Sequence, residues 1–296
     1  MCCSAGWPAV VSLLPGPPAV DAPAARPRRG RSRAGRWLLR GVAVLYIGIL
    51  VAVPLALVFQ RTIADGADAF WDAISAPDAV HAFTVTAEIA LVAVAINTVF
   101  GLGVALLLAR YRFAGRRLFN VLLDIPVSVS PIVVGLALVL VYGPTQGWFG
   151  PSLSNAGVQI IFALPGMVLA TCFVSLPLVV RELVPVLQEE GLDQDVAARS
   201  LGANSWQRFV RITLPTIRWA LAYGVVLSLA RAIGEYGAVR VVSGDVIGQT
   251  QTATLRVGDL AEQGEPGDYQ IALVLVLFAI LCIVGISLLR PKEKKS

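Results

Sequence analysis

The chain has 296 residues, of which 56% are hydrophobic and 15% charged, with a net charge of +5 and a mean hydropathy of +0.74. Soluble domains are roughly half apolar and about a quarter charged, so this composition lacks the polar surface that a folded chain of this size presents to water. It excludes a single soluble core and makes an all-α integral membrane protein the expected class, with the bilayer as part of the solvent.

Residues 1–36 form an Arg- and Pro-rich leader. Its weak apolar stretch precedes the arginines and is broken by Pro8, Pro15, Pro17 and Pro18. A secretory signal has the opposite order, so the leader is expected to be a disordered segment. Cys2 and Cys3 lie there, while Cys172 and Cys282 lie in apolar runs. No metal-ligand spacing links the four and His81 is the single histidine, so neither a disulfide framework nor a zinc site is expected.

Long uncharged stretches at 41–59, 89–109, 125–142, 157–180, 219–230 and 271–289 predict six transmembrane helices. A stretch of about nineteen residues rises about 28 Å as a helix, close to a hydrocarbon thickness of roughly 30 Å. The fifth stretch meets Arg231 after twelve apolar residues, so it spans only if Arg231 and Glu235 face protein or water. All but four of the 24 Lys and Arg residues fall on one side of this topology, the exceptions being Arg61, Arg231, Arg240 and Arg256. That asymmetry predicts a multi-pass protein of the cytoplasmic membrane with both termini in the cytoplasm. It also accounts for the arginines of the leader, which therefore imply no nucleic-acid partner.

The outer connection 143–156 carries Pro144, Gly147, Gly150 and Pro151 and reads as a turn-rich linkage. The inner connection, 181–218, is longer than a chain reversal requires. Asp193 or Asp195 can cap a short helix through Leu201, and Gly202 can supply the positive φ that ends it. Asn204 or Ser205 can cap a second helix that places Trp206, Phe209 and Val210 on one face and stops before Pro215. Ala197, Ala198 and Ala203 leave the backbone near this corner open to close approach.

The run Val196-Ala197-Ala198-Arg199-Ser200-Leu201-Gly202, followed by Ile212-Thr213-Leu214-Pro215, resembles the EAA loop of ABC importer permeases. Val196 stands where that family has Glu, with Asp195 one place earlier on a different helix face. The blocks Asp124 to Gly135, Pro165-Gly166-Met167, Pro177 to Leu183, Ala230 to Val239, Val242-Ser243-Gly244 and Gly248 to Thr252 resemble the sulfate and thiosulfate permeases, and molybdate permeases share several of them. The resemblance implies a type I importer permease fold of six helices with a cytoplasmic coupling loop. Residues 37–81 would hold the first helix and an outer loop, 82–290 the type-1 transmembrane domain, and 291–296 a basic tail. It further implies a second permease subunit, two cytoplasmic ATPase subunits and an external sulfate-binding protein as partners. Val196, Ala197, Ala198, Leu201, Gly202, Ala203, Ile212, Leu214 and Pro215 would form the ATPase-coupling interface. Two outer segments, Ala253 to Arg256 and Glu262 to Asp268, depart from the family pattern.

No Walker-type sequence is present, so the chain is expected to be no enzyme and to bind no cofactor, ATP and Mg being used by the partner ATPase. Arg231 and Glu235, four apart, suit either an intrahelical ion pair or a charged station on an anion path. Ser128 and Ser130 are further candidates for that path. Asn97 is another, and all three polar groups also suit hydrogen bonds between helices, as Gly101, Gly103, Gly135 and Gly166 suit close helix packing. The alternatives to a sulfate or thiosulfate importer are a molybdate or tungstate importer and an ion-coupled secondary anion transporter. The latter would show internal repeats and has no use for the glycine corner.

Overall fold

The computed structural model describes residues 33–191 and 193–289. The tail 291–296 and all but the last four residues of the leader lie outside the described residues. Among the latter the fold is helical throughout: α1 (Arg33–Ala64), α2 (Gly66–Ser75), α3 (Pro77–Arg110), α4 (Arg116–Ser128), α5 (Pro131–Tyr142), α6 (Gly150–Asn155), α7 (Leu164–Glu190), α8 (Asp193–Ser200), α9 (Ser205–Arg208), α10 (Leu214–Ile233), α11 (Gly237–Ser243), α12 (Ala253–Gln263) and α13 (Asp268–Leu289). A π-helical turn, Phe209–Thr213, joins α9 to α10. Five helical stretches are long and apolar enough to cross a membrane, and the bent pair α4 and α5 supplies a sixth if counted as one span.

The chain divides into two compact units at Val53 and Pro54. In the first, every side chain of α1 from Trp37 to Val53 is exposed, an almost wholly apolar surface that suits hydrocarbon. The second unit is built on α3 and α7, which run parallel: Ala93, Asn97 and Gly101 lie opposite Cys172, Ser175 and Val179. α10 runs against both, with Ile217 beside Leu183 and Leu187, Gly224 against Val179, and Ala232 beside Ala90 and Val94. Lipid tails are as apolar as leucine, so such helices associate through close packing and hydrogen bonds. Accordingly a Cβ on Gly101 would lie 2.9 Å from Val179 Cγ1, and one on Gly135 would lie 2.8 Å from the Ala238 carbonyl oxygen. Asn97 Nδ2 donates to Ser175 Oγ at 2.8 Å and to the Cys172 carbonyl at 3.2 Å, so this path candidate bonds α3 to α7.

Three spans differ from expectation, each for a backbone reason. The third is two helices bent by 110° about Val129 and Ser130. Pro131 has no N–H and forces its predecessor extended, and Ser130 has ψ 133°. The fourth begins at Leu164, because residues 157–163 form a strap whose Phe162 N–H bonds to the Val242 carbonyl at 2.8 Å. It then continues past Arg181 to Glu190. The fifth, expected at 219–230, is longer, because the loop helix expected to stop before Pro215 runs on into it and Ser205–Ile233 is one 29-residue helical run. The π turn, in which Leu214 N–H bonds to Phe209 O, shifts the hydrogen-bond register so that Pro215 falls where its missing donor is tolerated.

The C-terminal ends of α3 and α7, with α8, α9 and the start of α10, gather at one end of the second unit. The opposite end holds α2, α6 and α12; there the Ala253 N–H of α12 donates to Thr86 Oγ1 of α3 at 2.9 Å, and Gln270 Nε2 of α13 donates to Asp65 Oδ2 at the start of α2 at 2.9 Å.

Candidate functional site

The expected glycine corner is present. Gly202 has φ +83°, and its N–H bonds to the Arg199 carbonyl while the Ala203 N–H bonds to the Ala198 carbonyl, both at 3.0 Å. These bonds satisfy the last carbonyls of α8 as a left-handed C-cap does. Asn204 then caps α9: its Oδ1 accepts the Gln207 N–H at 2.8 Å, and Gln207 Oε1 accepts the Asn204 N–H at 3.0 Å. The apex carries Val196, Leu201 and Trp206, exposed at 58%, 88% and 71%. Ala197 is exposed, Ala198 and Ala203 are half-buried, and nothing lies within 4 Å of a Cβ placed on Gly202. Ile212, Leu214 and Pro215 sit apart from this apex, in the π turn and the first turn of α10 that carry the corner into the fifth span.

Sequence reasoning misses what holds the corner. Asp195 points inward, with Oδ2 2.6 Å from Arg208 Nη1 and Oδ1 3.6 Å from Arg110 Nη1. Arg110 Nη2 also donates to Oγ1 of the fully buried Thr213 at 2.5 Å. One carboxylate thus links α8 to α9 and to the end of α3. The signal lies in Arg110, which in the sequence reads only as a charge that sets topology.

At the other end of the fifth span, α10 stops at Ile233 and α11 starts at Gly237. Arg231 Nη1 lies 2.5 Å from Glu235 Oε2, so the four-residue pair forms. Glu235 is only 3% exposed; its Oε1 accepts the Ala238 N–H at 2.8 Å and its carbonyl accepts the Thr254 hydroxyl at 2.8 Å. It therefore ties α10, α11 and α12 together at the break. The Arg231 side chain remains 36% exposed. Ser128 is exposed and donates to the Asp124 carbonyl of its own helix at 3.0 Å, and Ser130 sits at the N-cap of α5 with no side-chain cap bond. Among the described residues no hydrogen bond brings either serine to Arg231.

A second charged group stands near the break. Arg240 pairs with Asp245 and with Asp259, the latter at 2.5 Å, and Gln251 Nε2 donates to Asp259 Oδ2 at 2.7 Å. Burial pushes the Asp245 carboxyl above the usual carboxylate range, and its contact with Asp259 adds to this against the pull of Arg240. The hydrogen bond to Asp259 in turn raises the Arg240 guanidinium. The departing segment Ala253 to Arg256 forms the first turn of α12, capped by Thr252.

Comparison with known proteins places this geometry in a family. The model of the binding-protein-dependent transport system inner membrane component matches residues 97–292. The chain is similar to the sulfate transport system permease protein CysW of Escherichia coli strain K12, 46% identical over 86% of this chain and 88% of that one. It is 35% identical to CysT of the same strain, over 87% and 93%. It is 52% identical to sulfate permease 2, chloroplastic, of Chlamydomonas reinhardtii over 74% of this chain, a match that spans 59% of the relative's length. The fold resembles a chain of the crystal structure of a bacterial alginate ABC transporter in complex with alginate pentasaccharide-bound periplasmic protein, with TM-score 0.67 at 19% identity over 85% of this chain and 92% of that one. This chain belongs to the family of binding-protein-dependent transport system inner membrane components, among the relatives of the sulfate permeases CysW and CysT.

Proposed function

We propose that the chain is the membrane-spanning permease of an ATP-driven importer that carries sulfate or thiosulfate across the cytoplasmic membrane, with residues 82–290 as its transport domain. The observation that carries this reading is the 46% identity to a sulfate permease over nearly the whole of both chains. Relatives under two names, CysW and CysT, support a second, similar permease subunit beside this one. An external binding protein and two ATPase subunits complete the complex, and ATP and Mg act on the ATPase alone. The permease itself catalyses no reaction. The arginine distribution puts the glycine corner and both termini in the cytoplasm.

The corner is the seat of the ATPase. Val196, Ala197, Ala198, Leu201, Gly202 and Ala203 offer an apolar apex with a bare backbone, and Ile212, Leu214 and Pro215 join it to the fifth span. Its large exposed side chains suit a protein groove better than water. Arg231 lies thirteen residues beyond Arg218, about 20 Å along the helix. Its half-exposed guanidinium supplies a positive field to a doubly charged anion, and the buried Glu235 both fixes its position and keeps the attraction from trapping the cargo. Ser130, exposed beside the bend between α4 and α5 with no side-chain cap bond, offers a hydroxyl donor to the same cargo, and Ser128 does so by releasing the Asp124 carbonyl of its own helix.

The test is reconstitution of this subunit with its neighbouring permease, ATPase and binding protein, followed by ATP hydrolysis with the binding protein unloaded or loaded with sulfate, thiosulfate or molybdate. Stimulation by sulfate or thiosulfate is expected. Stimulation by molybdate alone would overturn the substrate, and sulfate uptake driven by an ion gradient without the ATPase would overturn the mechanism.

A further inference from the structure

We infer that Asp195 is the positioning residue through which movement of the ATPase-bound corner reaches α3. This rests on the coupling reading of the corner and deepens it. A corner held only by its glycine turn would swivel when a partner pushed on it. Gly202 has no neighbour within 4 Å of its missing Cβ, and Leu201 is almost fully exposed. The helical run Ser205–Ile233 carries a push on α9 into the fifth span, but α8 and α3 lack that continuity and need another link.

The Asp195 carboxylate is placed to do this, since its side chain is 15% exposed and lies between two arginines from different elements. The bond from Arg208 closes α8 onto α9, making the two short helices one body. The contact from Arg110 fastens that body to the end of α3, and the bond from Arg110 to Thr213 fastens the same arginine to the π turn below α10. α3 in turn packs along α7 through Gly101 and Asn97. The path from corner to bundle therefore runs through two hydrogen bonds, Arg208 to Asp195 and Arg110 to Thr213, and one ion contact at 3.6 Å between Asp195 and Arg110. A carboxylate between two guanidinium groups resists separation more than apolar packing does. The acid of this loop is thus engaged inside the chain, while Val196 one residue later presents an apolar side chain outward. The docking face and the brace are separate sets of residues, so they can be broken separately.

The experiment uses the assembled complex in proteoliposomes and measures ATPase retained on purification, basal ATP hydrolysis, its stimulation by sulfate-loaded binding protein, and sulfate moved per ATP. Asp195→Asn keeps the side-chain shape and removes the charge; Arg110→Gln leaves the Asp195–Arg208 pair in place and removes the contacts of Arg110 with Asp195 and Thr213. Both are expected to retain the ATPase and basal hydrolysis within about twofold, while sulfate moved per ATP falls by roughly tenfold; Asp195→Glu restores at least part of it. Normal sulfate per ATP in Asp195→Asn or Arg110→Gln would overturn the brace, as would loss of the ATPase from both variants. Leu201→Asp tests the docking reading by itself: full ATPase retention and transport in that variant would overturn the seat of the ATPase whatever Asp195 does.

Discussion

Replacing Arg231 with glutamine strands the Glu235 carboxylate, and the size of the penalty follows from the geometry. Glu235 is 3% exposed, and once the 2.5 Å contact to Arg231 is gone its remaining hydrogen-bond partner among the described residues is the Ala238 N–H. Two unit charges about 4 Å apart attract by roughly 4 kcal/mol at an effective dielectric constant of about 20. The solvent-facing side of Arg231 reduces that, so a loss of about 3 kcal/mol is expected. This corresponds to a Tm lower by about 6–12 °C for a chain of this size. Glu235→Gln alone costs less, about 1–2 kcal/mol, because the amide oxygen still accepts the Ala238 N–H and Arg231 keeps access to water. The double variant leaves no buried charge and is expected within about 1–2 kcal/mol of wild type, so the two losses do not add. The four proteins of this cycle are compared by thermal unfolding of the purified complex and by sulfate uptake. Additive losses would refute the pair as a stabilising unit. A double variant that regains stability and transports at the normal rate would refute the path role of Arg231, and one that regains stability but not transport is the expected result.

Three further outcomes are expected. Gly202→Val should insert into membranes normally and lose ATPase co-purification, because φ +83° costs a β-branched residue on the order of 1–2 kcal/mol in backbone strain, whereas Gly202→Asn should retain it. Gly135→Ala should lower the Tm by an amount equivalent to about 1–3 kcal/mol, since its Cβ would meet the Ala238 carbonyl at 2.8 Å and backbone cannot step aside; Gly103→Ala, with nothing within 4 Å, should leave the Tm unchanged. Asp245 is held above its ordinary value chiefly by burial, so the folded state binds its proton more tightly than the unfolded one. Folding is then favoured at acid pH and this advantage is lost as pH rises through the raised value. Hydrogen exchange of 244–252 should therefore show weaker protection at neutral pH than below the ordinary aspartate value of about 4 after correction for intrinsic rates, and Asp245→Asn should flatten that difference.

The helical class and the positions of the spans are legible because an uncharged run long enough to cross a bilayer is seldom anything but a membrane helix in a chain this apolar. The corner is legible on different grounds: Gly202 and Asn204 are local signals whose bonds close within a few residues, and the structure forms them as read. Expectation fails where distant residues decide. Pro131 reads equally as a kink inside a span or as the start of a new helix, and only the packing of α5 on α11 selects the 110° bend. Pro215 reads as a stop, but the π turn absorbs it, and a one-residue change of hydrogen-bond register has no composition of its own. Asp195 and Arg110 stand 85 positions apart in a chain without repeats, so no spacing rule brings them together.

The break at 234–236 accounts for the buried acid at the end of the fifth span. A helix that ended at Ile233 without a partner would leave carbonyls exposed to an apolar interior, and the restart at Gly237 would leave N–H groups equally bare. Glu235 meets the second need by accepting the Ala238 N–H, the Gly234 and Glu235 N–H groups meet part of the first at the Ala230 and Ala232 carbonyls, and the Thr254 hydroxyl takes the Glu235 carbonyl within the break. A carboxylate so buried calls for a cation, and Arg231 in the last turn of α10 supplies it from just before the break. The charge that marks the span as polar is therefore a consequence of breaking the helix. Arg231 keeps a side chain 36% exposed, so removing Glu235 alone leaves a guanidinium that water can reach, whereas removing Arg231 alone leaves a buried carboxylate without its cation.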